Sequence, residues 1–157
     1  MKLSWYGLKM SIAGGKLTHL VQKDKIWDHG TMIEQVKMIF FKLQRMRTVK
    51  NKEDLKKLLT ETAFKELEKK MNGLESEGKT WVIKNPVIKE VAIIEVHPSK
   101  KNRQDGFVAL IKGRWISLIM EKEKAKEIDL SKHIHDFIEQ WSFIRRGEWW
   151  VLDEIKK

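Results

Sequence analysis

The chain has 157 residues, no cysteine and a formal net charge of +10 at pH 7. This length suits one domain that buries a sufficient core without cross-links, and the lack of cysteine excludes disulfides, thiolate metal sites and a cysteine nucleophile. The longest apolar run, residues 107–111, cannot span a bilayer, and Lys9 interrupts any secretory signal, so a cytoplasmic location is expected.

The positive charge is concentrated in the first half of the chain. Residues 1–73 hold 16 Lys and Arg against 8 Asp and Glu, a net +8, whereas residues 74–157 hold 16 against 14, a net +2. A one-sided positive field favours anionic partners such as lipid headgroups, an acidic protein or nucleic acid. The alternative is a lysine-rich surface with no dedicated partner.

Residues 1–29 are interpreted as a partly ordered N-terminal extension, with Gly14-Gly15 as a break, ahead of one domain over residues 30–157. Lysines and aromatic residues mix in this segment, at Lys2, Trp5, Tyr6, Lys9 and Lys16. Such a segment can anchor at an anionic membrane, with its rings at headgroup level. The alternative is a tail that covers a sheet face of its own chain or of a partner.

Two helical patterns follow. A capping box at Thr31 and Glu34 predicts a helix whose apolar stripe runs to Met46. Asn51 predicts the start of a second helix, which ends at the helix stop Asn72-Gly73.

The chain then changes to strand-like character. Residues 81–96 are rich in Val, Ile and Trp, and Asn85-Pro86 inside them predicts an edge strand or a bent strand. Residues 107–120 predict a long strand in which Gly113 marks a bend or bulge. Helices first and strands afterwards predict an α+β fold, with helices packed on one face of a curved antiparallel sheet.

The segment 137–153 is the most informative. Two β-rich runs flank Arg146-Gly147, which predicts an antiparallel hairpin. Alternate residues of the first run share one strand face, and they are Phe137, Glu139, Trp141, Phe143 and Arg145. A glutamate in an aromatic row needs a partner, and Arg145 or Arg146 is the expected one.

Both faces of the predicted strand over residues 107–120 carry apolar side chains. A sheet that is covered on one side only should alternate cleanly between apolar and polar residues. The second face is therefore expected to be covered, by residues 1–29 or by another subunit. We favour a homodimer, because Gly14-Gly15 would make the N-terminal segment a flexible cover and because two-fold dimers are the commonest closed assemblies.

The hairpin row, the following Trp149 and the helical run Phe40–Gln44 together resemble the Tim-forty-four-like domain. This family is named for the scaffold subunit of the mitochondrial inner-membrane import motor, and the resemblance runs from about Trp27 to Ile155. It implies a cone-shaped fold, like the nuclear-transport-factor-two-like and cystatin-like domains, with a pocket between helices and sheet. The long charged N-terminal region of the import scaffold has no counterpart here, so a stand-alone member of the bacterial type is expected.

Within such a cone, aromatic and charged residues that face inward are the candidates for the pocket. They are Phe40, Trp81, Trp115, Glu139, Trp141, Phe143 and Arg145. The alternative for the large aromatics is an ordinary place in the core, which is the commoner role of such residues at strand spacing.

No catalytic or metal-binding pattern stands out. His133 and His135 would share a strand face, but no third ligand has a recognisable spacing, so neither a metal nor a cofactor is predicted. The chain has no Gly-rich phosphate loop and no nucleophile elbow.

These observations favour a non-catalytic binding or scaffold domain with an apolar pocket and a basic helical side, peripheral to an inner membrane. The alternatives are a small pocket enzyme of the cone class (an isomerase, dehydratase or hydrolase) and an RNA- or ribosome-binding domain. Fold by itself does not decide among them.

Overall fold

The structure is a computed structural model, which describes residues 2–49, 51–100, 104–124 and 128–157, without the side chains of residues 2–4, 48 and 49. Four α-helices come first: α1 (Lys2–Lys23), α2 (His29–Val49), α3 (Lys52–Leu58) and α4 (Glu61–Ser76). Four strands follow: β1 (Lys79–His97), β2 (Gly106–Glu121), β3 (Ile134–Arg146) and β4 (Trp149–Lys156). They form one antiparallel sheet in the order β1-β2-β3-β4, which confirms the predicted α+β class.

Helix α2 begins earlier than the capping box predicted, because a different residue caps it. The Asp28 carboxylate accepts hydrogen bonds from the Thr31 hydroxyl (2.7 Å) and from the Thr31 backbone N–H (2.9 Å). These bonds hold the pKa of Asp28 below its ordinary value. Thr31 is thus inside the first turn and is not the cap.

The residues that were predicted to form one second helix form two helices, α3 and α4. Leu59 leaves the helix to form a parallel bridge with Leu152 of β4, and the Thr60 N–H donates to the Leu152 carbonyl at 2.9 Å. The Thr60 hydroxyl then caps α4 and donates to Asp153 at 2.9 Å. The predicted stop at Asn72-Gly73 is wrong as well, since α4 continues to Ser76.

Helix α1 runs without a break through Gly14-Gly15, so the predicted interruption is wrong. Glycine lowers helix stability but does not prevent a helix when one side of it is packed. That side of α1 buries Ala13 and Leu17 in the main core. The domain boundary at residue 29 stays a prediction. Among the described residues, no helix is long and apolar enough to cross a membrane.

The sheet bends where β1 passes β2. The register shifts between Lys84 and Val87, and Asn85 has a positive φ of 51°, which asparagine tolerates better than most residues. A Cβ on Gly113 would lie 2.1 Å from the Val87 carbonyl oxygen, so only glycine allows the two backbones to come this close. β1 is an edge strand, as the proline at position 86 predicted.

The core lies between the helices and one face of the sheet. Phe40 of α2 packs its ring against Trp141 (centroids 5.4 Å apart), Phe137 (5.7 Å) and Trp115 (6.1 Å). Phe143 stacks on Phe107 at 4.9 Å, farther along the same face. The aromatic row of the hairpin is therefore the contact surface for α2.

The second sheet face is covered in part by α1. Tyr6 packs over a small cluster formed by Ala92, Ile94 and Leu110. Ile138, on the same face of β3, is 55% exposed. The intramolecular cover that the sequence offered as an alternative is thus present over part of this face, and the homodimer stays a prediction.

Candidate functional site

A pocket of about 200 Å³ opens between α2, α4 and the end of β4. Its aliphatic lining comes from six side chains, Leu43, Leu59, Ala63, Leu67, Leu152 and Ile155, and Trp81 adds an aromatic ring. The break between α3 and α4 places Leu59 in this wall, because the bridge to Leu152 draws that residue onto the sheet. The pocket thus depends on the same backbone contact that ends α3.

Glu139 contributes a buried carboxylate to the pocket. It is 6% exposed, and the Trp141 indole N–H donates to it at 3.0 Å. The two residues are neighbours on one face of β3, since side chains two positions apart on a strand point the same way. The indole supplies the hydrogen bond that a buried carboxylate requires.

Two cations lie against Trp81 in the same pocket. The Arg47 guanidinium carbon is 4.5 Å from the centroid of the Trp81 ring, and the Lys70 ammonium is 3.9 Å from it. Cations at these distances are attracted by the negative face of the indole. Within the described parts of the chain, neither side chain forms an ion pair with a carboxylate.

The surroundings lower the pKa of both Arg47 and Lys70. Burial lowers the pKa of Arg47 to about 10, and the charge of Glu139 opposes that shift. Burial also lowers the pKa of Lys70, with further contributions from Lys157 and Arg47, while Glu139 raises it. Charges of both signs thus line the pocket: Arg47, Lys70 and Lys157 against Glu66, Glu139, Asp153 and Glu154.

Gln44 ties the guanidinium to α2. Its amide oxygen accepts from Arg47 Nη1 at 3.0 Å. Arg47 Nε and Gln44 Nε2 are both buried, and neither has a hydrogen-bond acceptor among the described residues. Unsatisfied buried donors are rare and costly, so this pair marks the site as incomplete in its hydrogen bonding.

The structure brings together two of the seven predicted pocket residues, Trp81 and Glu139. The other four aromatics are buried in the main core: Phe40, Trp115, Trp141 and Phe143. Phe40 lies on α2 and packs on Trp115 and Trp141, while Phe143 stacks on Phe107, so these rings fill the space between α2 and the sheet.

The expected ion pair of Glu139 with Arg145 or Arg146 is wrong. Glu139 and Arg145 are six residues apart on one strand, which separates them by about 20 Å. Arg145 instead pairs with Asp24 at 2.6 Å and with Asp105 at 3.2 Å. Arg146 donates to the Leu59 carbonyl at 3.0 Å. These arginines hold the fold together at the hairpin end and lie outside the pocket.

The residues predicted for a membrane or partner surface lie on α1. Trp5, 57% exposed, is on its outer side, and Lys9 places its ammonium 5.2 Å from the Trp5 ring and 3.5 Å from Glu95. Tyr6 points inward to the second sheet face. Lys16 is exposed, whereas the side chain of Lys2 lies outside the described residues.

Sequence reasoning missed Arg47 and Lys70. For Arg47 a signal was present, because it continues the buried stripe of α2 at the spacing of Val36, Phe40 and Leu43. An arginine in register with buried apolar residues needs a specific environment. Lys70 carries no such signal, since lysines are frequent along α4.

The described site offers groups that can bind a ligand: apolar side chains, the two cations against Trp81 and a buried carboxylate. No group of His, Asp and Glu in the described ranges could hold a metal ion. Asp136, next to the two histidines considered above, is held by Arg114 at 2.8 Å and by Lys89 at 3.4 Å. In the pocket, the Trp141 indole already donates to the buried carboxylate of Glu139.

Comparison with known proteins bears on fold and family. The structure is similar to the intermembrane space region of the chloroplast protein ARC6, with a TM-score of 0.51 and 11% identity, over 78% of this chain and 93% of that chain. At this identity the likeness shows a shared fold only. The solution structure of TraH, from the Gram-positive conjugative plasmid pIP501, reaches a TM-score of 0.38 with 14% identity, over 68% of this chain and 72% of that chain, which is too low to support a shared fold.

No curated protein sequence matches this chain. The sequence profile of the Tim44-like domain, however, matches residues 13–157. That span includes the main part of α1, the core helices, the whole sheet and the pocket, and it confirms the resemblance carried by the hairpin. The chain belongs to the Tim44-like domain family, a family of non-enzymatic scaffold and binding domains.

Proposed function

We propose that this chain is a binding domain that docks on an anionic membrane surface through α1. The observation that carries the proposal is the outer side of this helix. Trp5, Leu8 and Ile12 recur at i, i+3 and i+7 and are each more than half exposed. Exposed apolar side chains in a row on one helix suit insertion at the boundary between headgroups and acyl chains.

The charge of α1 supports the same role. Its lysines recur every seven residues in the sequence, at Lys2, Lys9, Lys16 and Lys23. Lys16 and Lys23 are exposed beside the apolar stripe, whereas Lys9 pairs with Glu95. The helix has no acidic residue. Each lysine near an anionic leaflet contributes about 1 kcal/mol of attraction.

The fold presents this stripe in a fixed orientation. The opposite side of α1 is packed by Ala13 and Leu17 in the main core and by Tyr6 on the second sheet face. A helix that is already formed and held loses little conformational freedom on binding. The corresponding location is the cytoplasmic side of an inner membrane, whose leaflet carries anionic lipid.

Vesicle sedimentation tests the proposal. The full chain is mixed with vesicles of phosphatidylcholine alone or with vesicles that also contain phosphatidylglycerol, at two salt concentrations. We expect more protein in the pellet with the anionic vesicles, and less of it at high salt because exposed charges are screened. Equal partitioning into both vesicle types would contradict the proposal.

A matched pair of variants locates the surface. Leu8→Glu places a negative charge in the stripe and should abolish sedimentation with anionic vesicles. Trp149→Glu changes a side chain that is 62% exposed on β4, at the hairpin end and not in the stripe of Trp5, Leu8 and Ile12, and should leave sedimentation unchanged. An equal loss in both variants would show that net charge, not the α1 stripe, governs binding.

A further inference from the structure

The pocket between α2, α4 and β4 gathers two cations that the Trp81 ring attracts but that no described carboxylate pairs with. Arg47 and Lys70 both approach the Trp81 ring, at 4.5 and 3.9 Å, although like charges in one site repel each other. No carboxylate of a described residue forms an ion pair with either cation. Two cations gathered in this way are typical of a site for an anion.

The described acidic residues around the pocket do not form ion pairs with Arg47 or Lys70. Glu139 accepts from Trp141, and Asp153 accepts from the Thr60 hydroxyl at 2.9 Å. Glu66 and Glu154 line the pocket but are exposed to solvent, as Lys70 also is, so solvent screens all three charges. Arg47 Nε and Gln44 Nε2 remain buried without an acceptor among the described residues.

We propose that this pocket binds a small organic carboxylate with an apolar body, whose carboxylate pairs with Arg47 and Lys70. Guanidinium presents several N–H donors in one plane and suits the two oxygens of a carboxylate. The apolar body packs against Leu67 and Leu152 and against the indole of Trp81. These contacts belong to residues that the proposed membrane surface does not use.

The size of the pocket limits the ligand. Its volume of about 200 Å³ is below the usual range for drug-sized ligands, roughly 300–1,000 Å³. It is somewhat larger than an engineered apolar cavity of about 150 Å³ that binds benzene. A benzene ring with one carboxylate therefore matches the available space, whereas a long acyl chain exceeds it.

The two cations beside Trp81 favour a ligand with one negative charge. Arg47 and Lys70 lie together against the ring, and Glu139 is the buried carboxylate of the described lining. The other acids of the lining would repel the second charge of a dianion such as a phosphate monoester. A neutral amide would lack the attraction to Arg47 and Lys70.

Titration with three probes of similar shape tests this assignment. The full chain is titrated with benzoate, benzamide and phenylphosphonate, with binding followed by calorimetry and by saturation-transfer NMR. We expect saturable binding of benzoate, at least about tenfold tighter than either of the other two probes, since charge-assisted hydrogen bonds are worth that ratio or more. Comparable affinity for benzamide or phenylphosphonate would overturn the proposal, and so would an absence of saturable benzoate binding.

Three variants connect the binding to this pocket. Arg47→Met should weaken benzoate binding about tenfold or more, and the flexible methionine side chain keeps much of the packing of the arginine stem. Ala63→Leu fills the apolar part, keeps every charge and should also weaken binding. Arg114→Met removes an exposed arginine from the other sheet face and should have no effect. Unchanged benzoate affinity in Arg47→Met or in Ala63→Leu, with the fold verified by circular dichroism, would place benzoate elsewhere.

Discussion

The indole N–H of Trp141 donates to the carboxylate of Glu139 at 3.0 Å, and both residues are buried on the same face of β3. The bond joins the aromatic core under α2 to the pocket beside α4. It also explains a charge within an aromatic row, because the ring next to the glutamate supplies its hydrogen bond. The core and the pocket thus share one strand.

Because of this hydrogen bond, two conservative substitutions should lower the free energy of unfolding by different amounts. Trp141→Phe keeps a large ring but removes the only N–H that donates to Glu139 among the described residues, which should cost about 1–3 kcal/mol beyond the loss of volume. Glu139→Gln keeps an acceptor for the indole and removes a buried charge, so it should change the free energy of unfolding by less than about 1 kcal/mol. Urea unfolding of both variants measures the difference; a costlier Glu139→Gln would contradict the assignment.

Truncation of the Trp141 side chain tests whether this residue belongs to the core or to the surface. Trp141→Ala removes a side chain that is 0% exposed and should cost about 3–5 kcal/mol of unfolding free energy. Trp149→Ala removes an exposed ring from the same hairpin and should stay within about 0.5 kcal/mol. An unchanged denaturant midpoint for Trp141→Ala would show that this residue is not in the core.

Two glycine substitutions should change the stability of the fold in opposite directions. Gly113→Ala places a Cβ 2.1 Å from the Val87 carbonyl oxygen and 2.7 Å from the Phe137 ring, so it should destabilise by about 1–3 kcal/mol or more. Gly15→Ala meets nothing within 4 Å inside α1 and should stabilise by about 0.5–1 kcal/mol. Thermal unfolding of the two variants compares them directly. Loss of stability in Gly15→Ala would argue against a continuous α1.

The pair of Asp24 with Arg145 predicts a contribution to stability that depends on pH. The hydrogen bond from Arg145, followed by that from the Ile26 N–H, lowers the pKa of Asp24 below 3.8. A lowered carboxyl pKa stabilises the folded state above the unfolded pKa, and this stabilisation is lost as pH falls through the folded pKa. Asp24→Asn should therefore be less stable than the natural chain at pH 6 and closer to it below about pH 3.

Denaturant unfolding at the two pH values measures the effect of Asp24→Asn. Glu148→Gln is the control, because Glu148 contacts the same arginine from a side chain that is 82% exposed. That variant should show little difference at either pH. A stability gap for Asp24→Asn that stays the same at both pH values would exclude titration of this pair as the cause.

Self-association is predicted to involve the second sheet face. Ile138 remains 55% exposed there beside the part that Tyr6 covers, and Ile134 is 50% exposed on the same strand. Light scattering at micromolar concentration should give the mass of two chains, and Ile138→Glu should reduce it to one. A single-chain mass for the natural sequence would show that α1 covers this face sufficiently.

Local patterns in the sequence determined the architecture. Alternation of period two in residues 137–145, with a turn at Arg146-Gly147, predicts the hairpin because side chains of one strand face are neighbours whatever packs on them. The capping signals of α2 and α3 located these helices to within a few residues for the same reason, since a cap depends on atoms one turn away. The α+β class and the family follow from these elements.

Only the tertiary structure decided the site. The break between α3 and α4 requires the Leu59–Leu152 bridge, whose partners are far apart in the chain. The meeting of Arg47 and Lys70 on Trp81 joins three elements, and no spacing within one element encodes it. Strand periodicity correctly predicted that Glu139 and Arg145 share one face. The two residues are six positions apart, however, and that distance along a strand is too long for an ion pair. Local sequence specifies what each segment forms, whereas the site depends on where segments meet after the helices have packed on the sheet.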